Sequence, residues 1–469
     1  MGRRRHIVIP LVFTSGIAMH FSFLHHPQHP VHTSHWTRQD VSKIEALPTN
    51  TFPPFDVGNL KPLMPSYHVW DSWFVMSEDG RVADVHGHRV LVALTRPVGA
   101  SSGEGERIAY FYSKDGVHYR VGGFLFEKPL YADVREWSGS TILRADGRLQ
   151  SFYTIATGVQ NDGVWQTAQR FATAIQAVSL SGQGNEECLV VSEPMYHALI
   201  AEPDGVFYEN AKQAGQREAL IPTRHHHGSD EQTENFCFRD PKFYRHEPTG
   251  KAYLLFEGNT GPKFCPAGSV RREYIGSSEF EPNYAPTPDD LKANGCVGVL
   301  ELTNAEYTYG TFLQPWLSTN LVTDEIERIN LLPINGYFYL FVVAHGNKCT
   351  LLSKNEDLTN RDYMLGFRAR HLFGSLEPLN TSGVILQQKS YGNSYEGQDD
   401  NQQYVYSWLM VPTEQANVFD CISYANYSTD ANGVSQSVKT AGPTLKIEID
   451  GLQTRIIDKS YNILPLLNN

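Results

Sequence analysis

The chain is poor in cysteine, and its cysteines are not spaced as metal ligands usually are. The 469 residues include six cysteines, and no two of them form a Cys-x-x-Cys pair, so we expect no zinc or other metal site. Cys265 and Cys296 bracket an insertion-like segment. If the chain is secreted, these two are the first candidates for a disulfide. The alternative is that all six are buried thiols.

Positive charge and long apolar runs are also scarce. Lysine and arginine number 39 against 51 aspartates and glutamates, which gives a net charge of −12. A chain of this charge is a poor candidate for binding nucleic acid or anionic membranes, whereas a neutral substrate is indifferent to it. After residue 24 no stretch approaches the roughly 20 apolar residues of a membrane span. We therefore expect neither a nucleic-acid partner nor a stable membrane partner.

The N-terminal segment is typical of a secretory signal. Three arginines, Arg3 to Arg5, precede the apolar stretch 6–24, which matches the basic and hydrophobic regions of such signals. The sequence thus predicts a signal-like segment over 1–24 and a secreted protein. An uncleaved anchor and a fortuitous apolar tail are the alternatives. Residues 25–50 are rich in His, Pro and Thr without periodicity, which predicts a linker, and residues 51–469 remain as one domain.

Helical periodicity is nearly absent, and short strand-like runs recur instead. Examples are "HRVLVALT" (88–95), "RIAYFYS" (107–113), "KAYLLFEGN" (251–259) and "GYFYLFVVA" (336–344), separated by turn sequences such as "EDG" and "ING". Such alternation predicts many antiparallel hairpins. One short helix is expected within 288–295. The pattern favours an all-β sandwich, barrel or propeller.

Three stretches place carboxylates beside tryptophan or arginine. They are "VWDSWFV" (69–75), "FRDPKFY" (238–244) and "DEIER" (324–328). Any one of them could be a strand end or a surface ion pair. Together they suit a retaining glycosidase, which needs a nucleophilic carboxylate and a protonated partner. Arg239 is expected to keep its neighbour Asp240 ionised.

The third stretch contains two candidate acids. In a strand, Glu325 and Glu327 project to one face and Asp324 to the other. Geometry alone therefore leaves both glutamates open.

The same stretches carry a resemblance to a known family. "VWDSW", "EWSGS" (136–140), "FRDP", "YLLFEGNT" (253–260), "DEIER" and "HLFG" (371–374) occur in the order found in levansucrases and related bacterial fructosyltransferases, glycoside hydrolase family 68. The resemblance spans about residues 36 to 450. It implies a five-bladed β-propeller with a central funnel-shaped pocket. It also implies a sucrose-dependent fructosyltransferase that works through a covalent fructosyl-enzyme. An invertase-like hydrolase, an inulin-type transferase and a binding propeller without catalysis are the alternatives.

The resemblance also implies roles for individual residues. Asp71 matches the nucleophile, Asp240 the transition-state stabiliser and Glu327 the general acid/base. Glu327 is preferred over Glu325 because some relatives carry Gln-Thr-Glu at 325–327. The expected substrate-binding residues are Trp70 and Trp137 (pocket lining), Ser138 (hydrogen bond to the nucleophile), Arg239 (sugar hydroxyls), Glu257 (support of the acid/base), Glu325 (leaving glucose) and His345 (acceptor).

Two further expectations concern metal and acceptor. His345 stands where Gram-negative relatives carry histidine, and those relatives usually lack the calcium that other members hold near the position of Asp324. No cofactor is therefore expected, with calcium a doubtful exception. Tyr404 or Gln403 is expected to reach the acceptor side. The expected partners are sucrose and fructooligosaccharide or fructan acceptors.

Overall fold

Antiparallel hairpins dominate the structure, as the alternating apolar runs predict. The computed structural model describes residues 31–100, 105–132, 134–161, 164–220, 236–264, 269–389, 404–428 and 437–463. The predicted signal-like segment, residues 1–24, lies outside these ranges.

Within the described residues the strands form five antiparallel groups, which we call blades 1 to 5 in chain order, and hydrogen bonds join blades 1 and 2 into one eight-stranded sheet. A two-residue strand, β1 (Ser34–His35), pairs at the outer edge of blade 3. Blade 1 contains β2 (Tyr67–Ser77), β3 (Arg89–Pro97), β4 (Arg107–Ser113) and β5 (Arg120–Phe124). Blade 2 contains β6 (Arg135–Leu143), β7 (Leu149–Asn161), β8 (Val164–Gln176) and, after the small hairpin β9 (Val178–Ser181) and β10 (Cys188–Val191), β11 (Tyr196–Ala201).

The remaining blades follow the same plan. Blade 3 contains β12 (Phe238–His246), β13 (Lys251–Asn259), β14 (Gly295–Leu302) and β15 (Gly310–Ser318). Blade 4 contains β16 (Glu327–Ile334), β17 (Tyr337–His345), β18 (Arg361–Ala369), β19 (Leu376–Pro378) and β20 (Val384–Lys389). Blade 5 contains β21 (Val405–Pro412), β22 (Val418–Ser428), β23 (Ser437–Ala441), β24 (Thr444–Asp450) and β25 (Gln453–Ser460).

The first strand of each blade lies on the inside of a closed ring. Strand β2 contacts β6, β6 contacts β12, β12 contacts β16, β16 contacts β21, and β21 returns to β2. Blades 1 and 2 are also joined by parallel pairing of Val75 with Thr141. The expected five-bladed β-propeller is confirmed.

The hydrophobic core fills the spaces between neighbouring blades. Each blade is covered on both faces, so its central strands are apolar on both sides; β13 is buried from Ala252 to Asn259. Fully buried tryptophans such as Trp73, Trp316 and Trp408 anchor these layers. Their burial of large apolar area is the main source of stability for a fold of this kind.

The predicted linker is wrong for residues 31–50, which belong to the propeller. Trp36 is fully buried and its Nε1 donates to the carbonyl of Ser382 at 2.8 Å. Arg38 forms buried ion pairs with Glu281 and Asp290. The segment lacks periodicity because it lies across the outside of blades 3 and 4 in elements of only two to four residues.

Five short helices lie between the strands in the part of the chain that the structure describes. They are α1 (Arg38–Val41), α2 (Ala211–Leu220), α3 (Arg272–Ile275), α4 (Pro288–Lys292) and α5 (Glu356–Thr359). Helix α4 is the one predicted, capped by Thr287. Helix α2 was not predicted, because its sequence, "AKQAGQREAL", has few apolar residues and no clear helical period. Within the described ranges, none of the helices is both long and apolar enough to cross a membrane.

The expected disulfide is not formed. Cys296 is a fully buried free thiol, and Cys265 lies outside the described residues. Cys237, Cys349 and Cys421 are also buried free thiols.

Candidate active site

Each of the five inner strands carries a break in its register near its beginning. The breaks lie between Val69 and Ser72 in β2, Trp137 and Gly139 in β6, Arg239 and Lys242 in β12, Glu327 and Asn330 in β16, and Tyr406 and Leu409 in β21. Such bulges leave residues unpaired and re-aim their side chains. The ring therefore presents one irregular segment from every blade, and the predicted catalytic residues lie in or beside these segments.

The backbone is strained at three of the five breaks. Asp240, Arg328 and Ser407 have φ angles of 59°, 58° and 60°. This left-handed region is uncommon for residues other than glycine and costs about 1 kcal/mol or more for each residue. Strain of this kind, repeated around one ring, indicates a site whose geometry matters.

Asp71 is held by a hydroxyl from the neighbouring blade. Ser138 Oγ donates a hydrogen bond to Asp71 Oδ2 at 2.6 Å, as expected. Trp70 lies half-buried with the cations of Arg96 and Lys439 each 5.6 Å from its ring. Burial lowers the pKa of the Lys439 ammonium to about 8, against the opposing attraction of Asp71.

Trp137 occupies the position in β6 that corresponds to Trp70 in β2. It is half-buried and directly precedes Ser138 at the break. Both tryptophans therefore lie beside the Asp71–Ser138 pair along the chain.

Asp240 is buried close to Asp71. Its amide donates to Thr154 Oγ1 at 3.0 Å, and its Oδ2 accepts from the Arg328 amide at 3.3 Å. Burial, and then the negative charge of Asp71, raise the pKa of Asp240 to about 7, although Arg328 and Arg239 act against the rise. The expectation that Arg239 keeps Asp240 fully ionised is therefore wrong, because the guanidinium contacts other carboxylates.

Arg239 joins three glutamates through one guanidinium. Its Nε lies 2.7 Å from Glu257 Oε2, and its Nη2 lies 2.9 Å from Glu325 Oε2 and 3.0 Å from Glu327 Oε1. Glu257 is fully buried, and burial raises its pKa well above the usual value despite Arg239. The two candidate acids converge on one donor, as strand alternation predicts, although Glu325 precedes the strand that begins at Glu327.

Glu325 and Glu327 differ in their remaining partners. Glu325 also pairs with Lys348 Nζ. Burial would raise the pKa of Glu325, but Lys348, Arg239 and His345 together hold it well below its usual value. Glu327 instead accepts a hydrogen bond from the Tyr406 hydroxyl. Glu325 is thus held as an anion by two cations, whereas Glu327 has one cation at Oε1 and a neutral donor at Oε2.

His345 lies against both glutamates. Its Nε2 is 3.8 Å from Glu325 Oε1 and 3.7 Å from Glu327 Oε2, and its Nδ1 is 2.7 Å from Asp362 Oδ1. Its ring stacks on Tyr406 at 4.5 Å. Burial lowers the pKa of His345, but the surrounding carboxylates, Asp362 first, outweigh burial and raise it to about 9.

Comparisons with known proteins agree with this geometry. A family model described as Levansucrase/Invertase matches residues 26–462. The chain belongs to this family. It is 30% identical to a levansucrase of Bacillus amyloliquefaciens over 91% of this chain and 89% of that protein.

Solved levansucrase structures share the fold. A Bacillus subtilis levansucrase variant in complex with oligosaccharides is 26% identical with a TM-score of 0.75, covering 91% of this chain and 96% of that one. A levansucrase variant complexed with sucrose is 27% identical with a TM-score of 0.76, covering 93% and 98%. The resemblance to the levansucrase/invertase family that the sequence motifs indicate is confirmed.

Two groups of ligand-type side chains lie in the described part of this family member. They are Cys237 with Glu257 and Glu325, and Glu325 with Glu327 and His345. The carboxylates in both groups are already paired with Arg239 or Lys348. These oxygens therefore serve ion pairs between side chains.

Several residues of the site escaped sequence reasoning. Lys348 lies three positions after His345, in the turn that follows β17, and that spacing could have indicated it. Tyr406 reaches Glu327, whereas the predicted Tyr404 donates to Asp362 Oδ2 at 3.0 Å. Gln403 lies outside the described residues. Neither Asp362 nor Tyr406 has a local pattern that marks it.

Proposed function

We propose that this chain is a retaining fructosyltransferase that takes the fructosyl unit of sucrose, releases glucose, and passes the fructosyl unit to sucrose, a growing fructan or water. Membership of the levansucrase/invertase family supports the reaction class. The levansucrase structures with sucrose and with oligosaccharides support the substrate and acceptor classes.

One observation carries the proposal for this chain's own residues. The buried carboxyl of Asp240 is within electrostatic reach of both Asp71 and Glu327, and both raise its pKa. Carboxylates from three blades therefore lie close enough to influence one another's charge. A nucleophile, a charge stabiliser and an acid/base around a sugar ring are what retaining transfer requires.

In the first half-reaction, Asp71 attacks the anomeric carbon of the fructosyl unit while Glu327 protonates the glycosidic oxygen. Ser138 fixes the direction of the Asp71 carboxylate through its hydrogen bond to Oδ2. Glucose leaves with the proton, and a covalent fructosyl-enzyme remains. The negative charge of Asp240 stabilises the oxocarbenium-like transition state.

In the second half-reaction, Glu327 acts as a base. It removes a proton from the acceptor hydroxyl, whose oxygen attacks the anomeric carbon and releases Asp71, so the proton balance closes. Glu325 stays ionised and accepts hydrogen bonds from the leaving glucose, while His345 donates to the acceptor. Trp70 and Trp137 line the fructosyl pocket.

Arg239 and Glu257 hold the acid/base in place. The guanidinium fixes Glu327 Oε1 and is itself fixed by Glu257. A rigid fork of donors suits this task, and it also suits sugar hydroxyls at the same site.

We propose that this reaction needs no calcium. Asp324, near which some relatives hold the ion, is almost fully buried, and the ammonium of Lys348 lies close enough for Asp324 to raise its pKa. That ammonium supplies the positive charge that a calcium ion would bring. Enzyme treated with a chelator should keep its full rate of glucose release, and loss of activity that calcium restores would contradict this.

We also propose export, on the grounds of sequence alone. Arg3 to Arg5 followed by the apolar stretch 6–24 support it. Fractionation of expressing cells tests it, since an exported protein accumulates outside the cytoplasm. Retention of all activity in the cytoplasmic fraction would refute the proposal.

The deciding experiment is incubation with sucrose, with released glucose and fructose measured separately. Glucose in clear excess over fructose is expected, because transferred fructosyl units do not appear as free sugar. Equal amounts would mean that hydrolysis dominates. No release of either sugar would refute the sucrose assignment. The Asp71→Asn variant is the matched control for any contaminating activity.

A further inference from the structure

A chain of polar contacts leads from the acid/base through His345 to Asp362 and Tyr404, two groups that the mechanism has not used. Asp362, on β18, is 1% exposed and lies between two partners. Its Oδ1 is 2.7 Å from His345 Nδ1, and its Oδ2 accepts from the Tyr404 hydroxyl at 3.0 Å. The first contact gives Asp362 a route to the reacting groups through His345.

The geometry fixes a proton on Nδ1 and the direction of the imidazole ring. A carboxylate at Nδ1 requires a proton there, which turns Nε2 toward Glu325 and Glu327. Stacking on Tyr406 at 4.5 Å, with 14° between the ring planes, prevents the ring from turning. A carboxylate at one ring nitrogen commonly holds a histidine in one orientation and one protonation state.

The charged groups around His345 come from every neighbouring element. Glu325 precedes β16, Glu327 begins it, and Asp362 lies on β18. Tyr404 and Tyr406 come from the start of blade 5. The cations of Arg239 and Lys348 lie on the far side of the two glutamates.

We propose that Asp362, held by Tyr404, is a positioning residue that keeps His345 as an imidazolium facing Glu325 and Glu327, and that this charge favours transfer to a sugar acceptor over transfer to water. The proposal rests on the proposed function. A sugar must be held by several hydrogen bonds before it attacks, and a charged donor makes a stronger bond than a neutral one. Water does not need to be held by several hydrogen bonds. Loss of the charge on His345 therefore reduces transfer to a sugar more than it reduces hydrolysis.

The test is the ratio of transfer to hydrolysis as a function of pH in wild type and Asp362→Asn. The pKa of His345, about 9, is raised by Asp362. The wild-type ratio should therefore hold steady from pH 5 to 8. Asparagine keeps the shape and the hydrogen bond to Nδ1 but removes the charge, so the pKa of His345 falls. The ratio should drop about tenfold at pH 8 and recover at pH 5.

Two variants separate positioning from general damage. Tyr404→Phe removes one hydrogen bond to Asp362 but keeps its charge, so the ratio of transfer to hydrolysis at pH 8 should stay near the wild-type value. Asp420→Asn removes another buried aspartate, which pairs with Lys446 at 2.8 Å on blade 5, and its ratio should match wild type at every pH. A ratio in Asp362→Asn that equals wild type, or that is lowered equally at all pH values, would overturn the proposal.

A second measurement does not depend on turnover. The imidazole signals of His345, identified by their loss in His345→Gln, can be titrated by NMR in wild type and Asp362→Asn. The midpoint should fall by at least one pH unit in the variant, and an unchanged midpoint would overturn the inference. Failure of the proposed function has a different signature, since wild type would then release no glucose from sucrose.

Discussion

The two sides of the site hold their carboxylates by opposite means. The aspartate side, Asp71 with Ser138 and Asp240, is held by hydroxyl and amide donors. Two like charges lie close together there, and the pKa of Asp240 rises to about 7 because of burial and Asp71. This side carries unbalanced negative charge that a positive sugar ring can relieve.

The glutamate side is balanced by cations. Glu257, Glu325 and Glu327 share Arg239, and Lys348 adds a second cation. Most of its negative charge is offset before any substrate arrives. From this difference we infer that the aspartate side stabilises a developing cation and that the glutamate side holds the proton donor in a fixed place.

The largest effect should come from the aspartate side. Asp71→Asn removes the nucleophile, so glucose release from sucrose should fall by at least about 10³-fold. The initial rate of glucose formation measures it, with circular dichroism as a check that the fold is retained. A rate within tenfold of wild type would show that the attacking group lies elsewhere.

Next is the proton donor on the glutamate side. Glu327→Gln should slow glucose release from sucrose by about 10³-fold. The loss should be much smaller for a fructosyl donor whose leaving group needs no proton. Glu325→Gln is the matched control, and it should lose about tenfold with either donor. If the fructosyl donor whose leaving group needs no proton restores the activity of Glu325→Gln and not that of Glu327→Gln, the acid is Glu325.

The charge balance can be broken at Lys348. Lys348→Met leaves Glu325 buried with one cation fewer, and unfolding free energy should fall by about 3 kcal/mol. Denaturant unfolding measures the loss. The double variant with Glu325→Gln should regain most of it, because the buried charge is then removed. Equal losses in the single and double variants would show that the pair does not carry the effect.

Neutralising Asp240 should stabilise the fold while abolishing activity. A carboxyl whose pKa is raised on folding binds its proton more tightly in the folded state, so its cost is absent near pH 4 and complete above pH 7. The free energy of unfolding of Asp240→Asn should therefore exceed that of wild type by about 2 kcal/mol at pH 8 and by almost nothing at pH 4. Asparagine also tolerates the left-handed φ of 59°. The measurement is the free energy of unfolding at pH 4 and pH 8. A stability increase at pH 4 alone would contradict the predicted pH dependence.

The smallest effect should be at the neutral donor of the glutamate side. Tyr406→Phe removes one hydrogen bond to Glu327 and keeps the ring that stacks on His345. The rate of glucose release should fall about tenfold or less. A loss as large as that of Glu327→Gln would mean that Tyr406 itself takes part in proton transfer.

Much of the fold and the main carboxylates could be predicted because their signals are local. Alternating runs such as 251–259 became strands over nearly the same residues. Asp71, Asp240 and Glu327 lie within short motifs, so one chain is enough to find them.

The rest depends on contacts that no local pattern encodes. Tyr406 meets Glu327 across 79 residues, and Trp36 meets Ser382 across 346. Arg239 is adjacent to Asp240 in sequence, yet the break in β12 turns its guanidinium toward Glu257. Bulges decide where a side chain points, and neither composition nor period predicts them.

The docking of Trp36 ties the order of synthesis to the order of folding. A ribosome that adds roughly 5–20 residues per second needs roughly 17–70 s to travel from Trp36 to Ser382. Throughout that time an indole destined for full burial has no carbonyl to receive it. The first blades can form as they emerge, but the N-terminal segment cannot dock until most of blade 4 has been made.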